Sequence, residues 1–368
     1  MHSDVIIIGG GVIGTACAYY LSGRGAKVQV MERNHLGAGA SGTTAAIISI
    51  SGGSGTPEPL RPLNAESYHL LLDAEQDFDQ PIEIMRGGTI YAALNEQQAL
   101  DLRPVYDEIR QMGISCKLFN GMDARRFEPL LGAEVTATLF NPASYHINPF
   151  RLVAGYMGAA LRRGARVDYG MEVQKIKINS GRIDRIVTDK GDYHADWVVV
   201  AGGAFTPQIL SSLGLQIPIV PARGQVILTE ACEQMTESVI MLLSHLYAKQ
   251  TASGNFYIGS HTEFVGFDNR ITLEKITTFT QTITRALPIL GRLRVLRFFT
   301  GLRPVCEDNL PIISPVPCCP RLIVASGHGR TGVRFSASTG KVVSELVMDG
   351  KAEQPIEAFA LDRFTKIV

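Results

Sequence analysis

Asp4-Val5-Ile6-Ile7-Ile8-Gly9-Gly10-Gly11-Val12-Ile13-Gly14 is the stretch whose reading decides the fold. Residues 4–8 form a short apolar, β-branched run, the pattern of a buried strand. Gly9, Gly11 and Gly14 follow as G-x-G-x-x-G. Thr15 to Ser22 has the small and apolar residues of a helix packed on a sheet, and Gly23-Arg24-Gly25-Ala26 turns out of it. Val28-Gln29-Val30-Met31 is a second strand, with Glu32 at its end. Each position has a physical role. Gly9 permits the tight turn, Gly11 lets backbone N–H groups approach a pyrophosphate, and Gly14 lets the helix pack against the strand. The helix N-terminus offers its positive dipole end to phosphates. Glu32 can accept from ribose hydroxyls and would repel a 2′-phosphate, so FAD or NAD is favoured over NADP. An isolated G-x-G-x-x-G fits many glycine-rich turns. A strand, helix, second strand and terminal acid in register are far more specific.

Composition bounds the rest. With 368 residues, 45% hydrophobic and 19% charged, the chain can build a sizeable core. Lys+Arg 35 balances Asp+Glu 35, which leaves no basic footprint for nucleic acid. No apolar run reaches the roughly 20 residues of a membrane span. The first strand begins at Asp4, leaving no room for a signal peptide, so the expected location is cytoplasmic. The six cysteines (Cys17, Cys116, Cys232, Cys306, Cys318 and Cys319) form no C-x-x-C and fit neither a zinc site nor an iron–sulfur cluster. No metal site is expected, and the thiols read as reduced and structural.

Further small-residue segments punctuate the chain. Gly37-Ala38-Gly39-Ala40-Ser41-Gly42-Thr43-Thr44-Ala45-Ala46 leads into an apolar strand, Ile47 to Ile50. Such residues allow close backbone approach to a ligand. Ser51 to Pro62 reads as an exposed loop. Residues 63–80 and 96–113 read as helices, and Gly87 to Leu94 as a strand. Asn148-Pro149 caps a helix through Arg163. Val167 to Ile178 and Ile183 to Thr188 read as hairpin strands. Asp196 to Ala204 is a buried strand ending in small residues, Ala201-Gly202-Gly203-Ala204. Gln225–Thr229, Val239–Lys249 and Asn255–Ser260 are strand-like, and Thr272 to Leu287 is helical. A strand over Arg321–Ser326 runs into Gly327-His328-Gly329-Arg330-Thr331-Gly332, and a final helix covers Val333 to Met348.

Taken in order, these stretches resemble the D-amino-acid oxidase superfamily of flavoproteins, in the branch containing glycine oxidase and sarcosine oxidase. The resemblance rests on Ile8 to Glu32, Gly39 to Ala46, His146 to Leu152 and Val199 to Ala204. It rests also on Gly301-Leu302-Arg303-Pro304 with Asp308-Asn309-Leu310-Pro311, then Gly327 to Gly332. Within the family, Lys249 to Asn255 and Thr262 to Asp268 are most similar to catalytic β subunits of multi-subunit dehydrogenases for opines, proline or hydroxyproline. Subunits of hydrogen cyanide synthase are similar too.

The resemblance implies an α/β fold: a doubly wound Rossmann-like FAD-binding domain with an interleaved antiparallel-sheet substrate domain. The expected division is 1–85, 145–225 and 300–368 for FAD, with 86–144 and 226–299 for substrate. It implies noncovalent FAD held by Gly9, Gly11, Val12, Ile13, Gly14, Glu32 and Arg33, and by Ala40, Ser41, Thr43, Thr44, Ala45 and Ala46. Val173, Ala201, Gly202, Gly203 and Gly301 join them, with Arg303, Gly327, His328, Gly329, Arg330, Thr331 and Gly332. Family members usually have Asn and Gly where this chain has Thr44 and Ala46. Cys306 lies near the position of covalent flavin attachment in sarcosine oxidases but is offset by several residues.

The implied chemistry is oxidation of a C–N bond in a small amino acid or N-substituted amino acid, giving an imine that water hydrolyses. Arg303, in the family's Gly-Leu-Arg-Pro, is the expected two-point anchor for the substrate carboxylate; the plain alternative is a structural salt bridge. Tyr247, His245 and Tyr257 are further candidates for substrate contact. Buried tyrosines usually satisfy their hydroxyls locally, and a lone histidine is more often structural. On one continuous strand, His245 and Tyr247 share a face. Arg223, in Pro221-Ala222-Arg223-Gly224-Gln225, is expected in a structural salt bridge. Sarcosine oxidases place an oxygen-activating lysine at about Tyr257, so its absence argues against a fast oxidase. Partner subunits carrying electron-transfer centres are expected, with FMN or iron–sulfur clusters only at interfaces or on those partners. The alternatives are a stand-alone peroxide-producing oxidase, a non-catalytic flavin-binding relay subunit, and an NAD-dependent dehydrogenase. The last leaves the later glycine-rich segments unexplained.

Overall fold

The strand His2–Ile8 lies inside an eight-stranded sheet, between Val28–Glu32 and Gly191–Val200, with both pairings parallel. The computed structural model describes residues 2–51 and 56–364. The sheet order is Ile312–Val316, Cys319–Ser326, Gly191–Val200, His2–Ile8, Val28–Glu32 and Arg166–Tyr169. The hairpin Val173–Asn179 and Arg182–Thr188 extends from Gly191–Val200. The apolar run at residues 5–8 is buried because both faces of the sheet are covered. Val5 and Ile7 pack towards Ala18 and Leu21 of the helix Val12–Gly23 and Val342 of the helix Ser336–Met348. Ile6 and Ile8 join Ile176 and Ile186 of the hairpin. Burying each such side chain contributes about 1.5–3 kcal/mol.

A second eight-stranded sheet stands beside the first. Its order is Val295–Cys306, Ile219–Ala231, Asn255–Glu263, Tyr247–Gln250, Val239–Leu242, Thr89–Ala93, Ala137–Asn141 and Lys117–Asn120. The pairing is antiparallel except between Val239–Leu242 and Thr89–Ala93, which run parallel, so the sheet is mixed rather than purely antiparallel. The helix Leu273–Ala286 covers it through Ile276, Phe279 and Ile283. The expected boundaries at 225/226 and 299/300 fall inside the long strands Ile219–Ala231 and Val295–Cys306. These two pair along almost their whole length, so hydrogen bonding runs unbroken across both expected boundaries.

Several elements differ from their sequence reading. Val167–Ile178 is not one hairpin strand. Arg166–Tyr169 pairs with Val28–Glu32 in the first sheet, Gly170 (φ 60°) breaks the chain, and the hairpin starts at Val173. Val239–Lys249 is likewise two strands, closed by a tight turn in which Leu242 N donates to Leu246 O at 2.7 Å. The helix Arg61–Glu75 starts before the expected residue 63 and stops well short of 80. The expected loop Ser51–Pro62 lies partly outside the described residues, and its end enters this helix. The Asn148 cap holds: its side chain accepts from Phe150 N and Arg151 N. The last helix begins at Ser336 rather than Val333.

Candidate active site

A cavity of about 520 Å3 runs from Glu32 and Arg33 past the first glycine turn to Gly301, Arg303 and Arg330. Its walls are made where the sequence places small residues. A Cβ on Gly9 would lie 2.4 Å from Ala201 O, and one on Gly14 would lie 1.9 Å from Gly9 O. The two strand ends and the helix can meet only if both positions lack a side chain. The helix Val12–Gly23 has no side-chain cap from Gly11, and Val12 N donates to Ser41 Oγ at 2.9 Å. The Glu32 carboxylate accepts from Gly10 N at 2.7 Å and Asn34 N at 2.8 Å. The glycine loop therefore holds the acid at the end of its strand. Beyond it, Arg33 stacks over Phe205, 3.7 Å from the ring centroid.

At the other end, a Cβ on Gly301 would lie 1.8 Å from Thr43 Oγ1, so the second sheet meets the Gly39–Ala46 segment with no space to spare. Thr44 Oγ1 accepts from Ala46 N at 3.1 Å, and Ala46 takes a left-handed φ of 50°. The loop after Cys319–Ser326 is tied to the same strand as Arg303. Gly329 N donates to Pro304 O at 2.7 Å, and Val305 and His328 form a bridge. That tie brings Arg330 beside Arg303. His328 is buried, pairs through Nε2 with Thr339 Oγ1 at 3.0 Å, and is pushed down to about 3 by burial, so it is a neutral imidazole.

The family model for FAD-dependent oxidoreductases (DAO) matches residues 4–346. The chain belongs to this family. Glycine oxidase of Geobacillus kaustophilus is 27% identical over 98% of this chain and 97% of its own length. The crystal structure of glycine oxidase from the same organism superposes with a TM-score of 0.92 at 26% identity, covering 98% of this chain and 99% of that one. Hydrogen cyanide synthase subunit HcnC of Pseudomonas protegens is 28% identical over 99% of this chain and 96% of its own length.

The protein is thus an FAD-dependent oxidoreductase, and the cavity fits that cofactor. A helix N-terminus whose Gly11 brings no side chain, together with the close glycine turn, suits a pyrophosphate, and the acid at the strand end suits a ribose. Of the expected cofactor residues, Gly9, Gly11, Val12, Ile13, Glu32, Arg33, Ala40, Ser41, Thr43 and Thr44 line the cavity. So do Val173, Ala201, Gly202, Gly203, Gly301, Arg303, His328, Gly329, Arg330 and Gly332. Gly14, Ala45, Ala46, Gly327 and Thr331 lie behind this lining. Ala45 packs with Tyr247 and Tyr257, and Ala46 with Ile48 and Tyr145.

The candidate substrate residues fare unequally. Arg303 lies across Gly224 on the neighbouring strand, where a Cβ would come 2.3 Å from its Nη2, and its Nη1 donates to Thr262 Oγ1 at 3.2 Å. Burial holds its pKa below the usual arginine value. Tyr247 lies over Gly259, where a Cβ would come 2.2 Å from the hydroxyl. Its phenol is pushed up to about 12 by burial, against the pull of Arg303 and Arg330. Tyr257 stacks on Tyr247 at 6.4 Å, and its buried hydroxyl has no hydrogen-bond partner among the described residues. His245 is a correction: it sits at φ 63° in the turn between two strands and is exposed, so it shares no strand face with Tyr247. Arg223 makes the expected salt bridge, 3.1 Å to Glu263 and 3.4 Å to Asp268. The final helix starts too late for its N-terminus to follow Gly332 directly.

Sequence reading missed Lys249. It lies directly opposite Tyr257 across paired strands, with Nζ 5.7 Å from the Tyr257 ring centroid and donating to Ile147 O at 2.9 Å. Burial pushes its pKa down to about 7. It lines a second cavity of about 430 Å3 on the far side of Thr43 and Thr44, with Glu83, His146 and Phe299. The signal was present: a cation alternating with Tyr247 inside an apolar strand. Among the described residues no His/Cys/Asp/Glu cluster could hold a metal, and no helix is long and apolar enough to cross a membrane.

Proposed function

We propose that the protein oxidises the C–N bond of a small amino acid or N-substituted amino acid, as the catalytic subunit of a multi-subunit dehydrogenase. The observation that carries this reading is Arg303. Its guanidinium is laid across Gly224 into the cofactor cavity, with Tyr247 and Tyr257 within electrostatic reach. A planar fork in a half-buried place suits a carboxylate better than a lone point charge would. Bound FAD, held noncovalently, supplies the two-electron acceptor. This chain's residues supply position: Arg303 orients the carboxylate, and the Tyr247 hydroxyl is available to hydrogen-bond it. A deprotonated amine would give up its α-hydrogen with the bonding electron pair, and its N–H proton to solvent, and the imine hydrolyses in water. Among the described residues no cysteine lines the cavity, and Cys306 is buried in the hydrophobic core beside Ile219 and Ile312.

The likeness to a hydrogen cyanide synthase subunit supports the multi-subunit assignment. The likeness to glycine oxidase favours a second reading, a stand-alone oxidase releasing hydrogen peroxide. Purification from the native host separates them. Co-purifying subunits and slow peroxide formation support the first reading; a homo-oligomer producing peroxide rapidly with an amino acid supports the second. If no amine bleaches the flavin anaerobically, both fall and the protein is a relay subunit.

A further inference from the structure

Arg297, Leu228, Tyr257 and Lys249 form one cross-strand row in the second sheet. Arg297 pairs with Leu228, Leu228 with Tyr257, and Tyr257 with Lys249, on four neighbouring strands. All four line the second cavity, of about 430 Å3. Three strand spacings separate the backbones at the two ends by about 14 Å. Arg297 is exposed and Lys249 is buried, so the row leads from solvent to an amine. Met85, Ile147 and Phe299 make much of the wall apolar. Thr251 adds a buried hydroxyl with no hydrogen-bond partner among the described residues. Lys249 is the one buried lysine among the described residues. Its Nζ donates to Ile147 O at 2.9 Å, a bond that a neutral amine makes with one N–H while keeping its lone pair. Glu83, the carboxylate that favours its charge, is already paired with Arg151 at 2.7 Å. Burial therefore prevails and lowers the pKa to about 7. A desolvated lysine of this kind is a nucleophile for carbonyl compounds. It does not line the cofactor cavity, so its chemistry is separate from the oxidation.

We propose that Lys249 is a covalent binding site for a small oxo acid, taking its carbonyl carbon as a Schiff base while Arg297 draws its carboxylate into the cavity. The neutral Nζ adds to the carbonyl carbon, the C=O electron pair moves to oxygen, and an N–H proton passes through solvent to that oxygen. The carbinolamine then loses water, which leaves C=N to Lys249. Nothing is oxidised or reduced. The amine-oxidation reading above supplies only the source of the ligand, because hydrolysis of an amino-acid imine releases an oxo acid. The site itself stands on the cavity and its row of side chains.

The test treats the holoenzyme with glyoxylate and cyanoborohydride, which reduces the imine to a stable secondary amine, and maps the modified lysines by mass spectrometry. At about pH 7.5 Lys249 is mostly neutral, whereas an ordinary lysine is neutral in about one molecule in a thousand. Labelling at Lys249 should therefore outpace that at exposed Lys117 or Lys175 by about a hundredfold. Arg297→Gln should slow the glyoxylate reaction about tenfold at low ionic strength and leave labelling by acetaldehyde, which has no carboxylate, unchanged. Lys249→Arg keeps a cation but cannot form the imine. It should lose this label alone, with the FAD content and anaerobic flavin reduction of wild type. If that variant does not fold, the wild-type map decides. Labelling of Lys249 no faster than of Lys117 overturns the proposal. Saturable glyoxylate binding without an adduct describes a plain anion site and overturns it too, as does a glyoxylate rate unchanged in Arg297→Gln. None of these results touches the amine-oxidation reading, which fails only if no amine reduces the flavin.

Discussion

Arg303 and Glu32 mark the two ends of the cavity, and single substitutions there should have separable consequences. Arg303→Lys keeps a charge but loses the planar fork, whereas Arg303→Met loses both. Leaving a buried carboxylate unpaired costs about 3–5 kcal/mol, or roughly two to three and a half orders of magnitude in kcat/KM for flavin reduction. The lysine variant should fall between methionine and wild type, with FAD content unchanged in both because Glu32 and the glycine turn lie at the far end. Wild-type rates in Arg303→Met would make the residue structural and shift the anchor to Tyr247 or Arg330. Glu32→Ala removes charged acceptors from the ribose and from Gly10 N. A charge-assisted hydrogen bond contributes about 1.5–3 kcal/mol, so FAD affinity should fall roughly ten- to hundred-fold in a titration of apoprotein.

At the scale of elements, the strands of the second sheet put a glycine beneath each of two functional side chains. Gly224 supports Arg303, and Gly259 on Asn255–Glu263 supports Tyr247. Gly224→Ala should therefore displace the Arg303 guanidinium while leaving the first sheet intact. The expected outcome is a raised KM for the amino acid, with FAD content and the far-ultraviolet circular dichroism of wild type. An unchanged KM would show that Arg303 relaxes around the new methyl group. The same elements explain what sequence reading could and could not reach. Residues 4–32 were legible because strand period, glycine spacing and terminal acid agree with one another. The Asn148 cap was legible because Asn-Pro before an apolar run has one local meaning. Val239–Lys249 was misread because seven of its eleven residues are apolar, and periodicity cannot see a turn made by His245 at positive φ. Arg330 was legible only as part of a glycine loop. Its place beside Arg303 depends on a hydrogen bond between segments far apart in sequence.

At the scale of the whole molecule, Lys249 fastens the second sheet to the layer beneath it, because its Nζ donates to Ile147 O just ahead of the helix Pro149–Arg162. Burial lowers its pKa to about 7, while Glu83 pulls in the opposite direction. The unfolded chain holds that proton up to about pH 10.4. Between those values the unfolded state binds a proton that the folded state lacks, so this residue makes stability rise with pH, by at most about 1.4 kcal/mol per pH unit. Below pH 7 both states are protonated and the slope vanishes. Buried acids work the other way: Cys306 is pushed up to about 11 by burial, so above the ordinary thiol range it loses stability as pH rises. The window that isolates Lys249 is therefore about pH 7 to 8.5. His146, facing the same cavity and held near 3 by burial and by Lys249, stays neutral throughout it. Chemical denaturation of the holoprotein and of Lys249→Met across that window should show wild type gaining stability relative to the variant as pH rises. The variant also leaves Ile147 O without its donor, a pH-independent loss of about 1–3 kcal/mol that offsets the two curves without changing their relative slope. Parallel curves would show that Lys249 keeps its proton in the folded protein, with an anion or ordered solvent in the second cavity stabilising the charge.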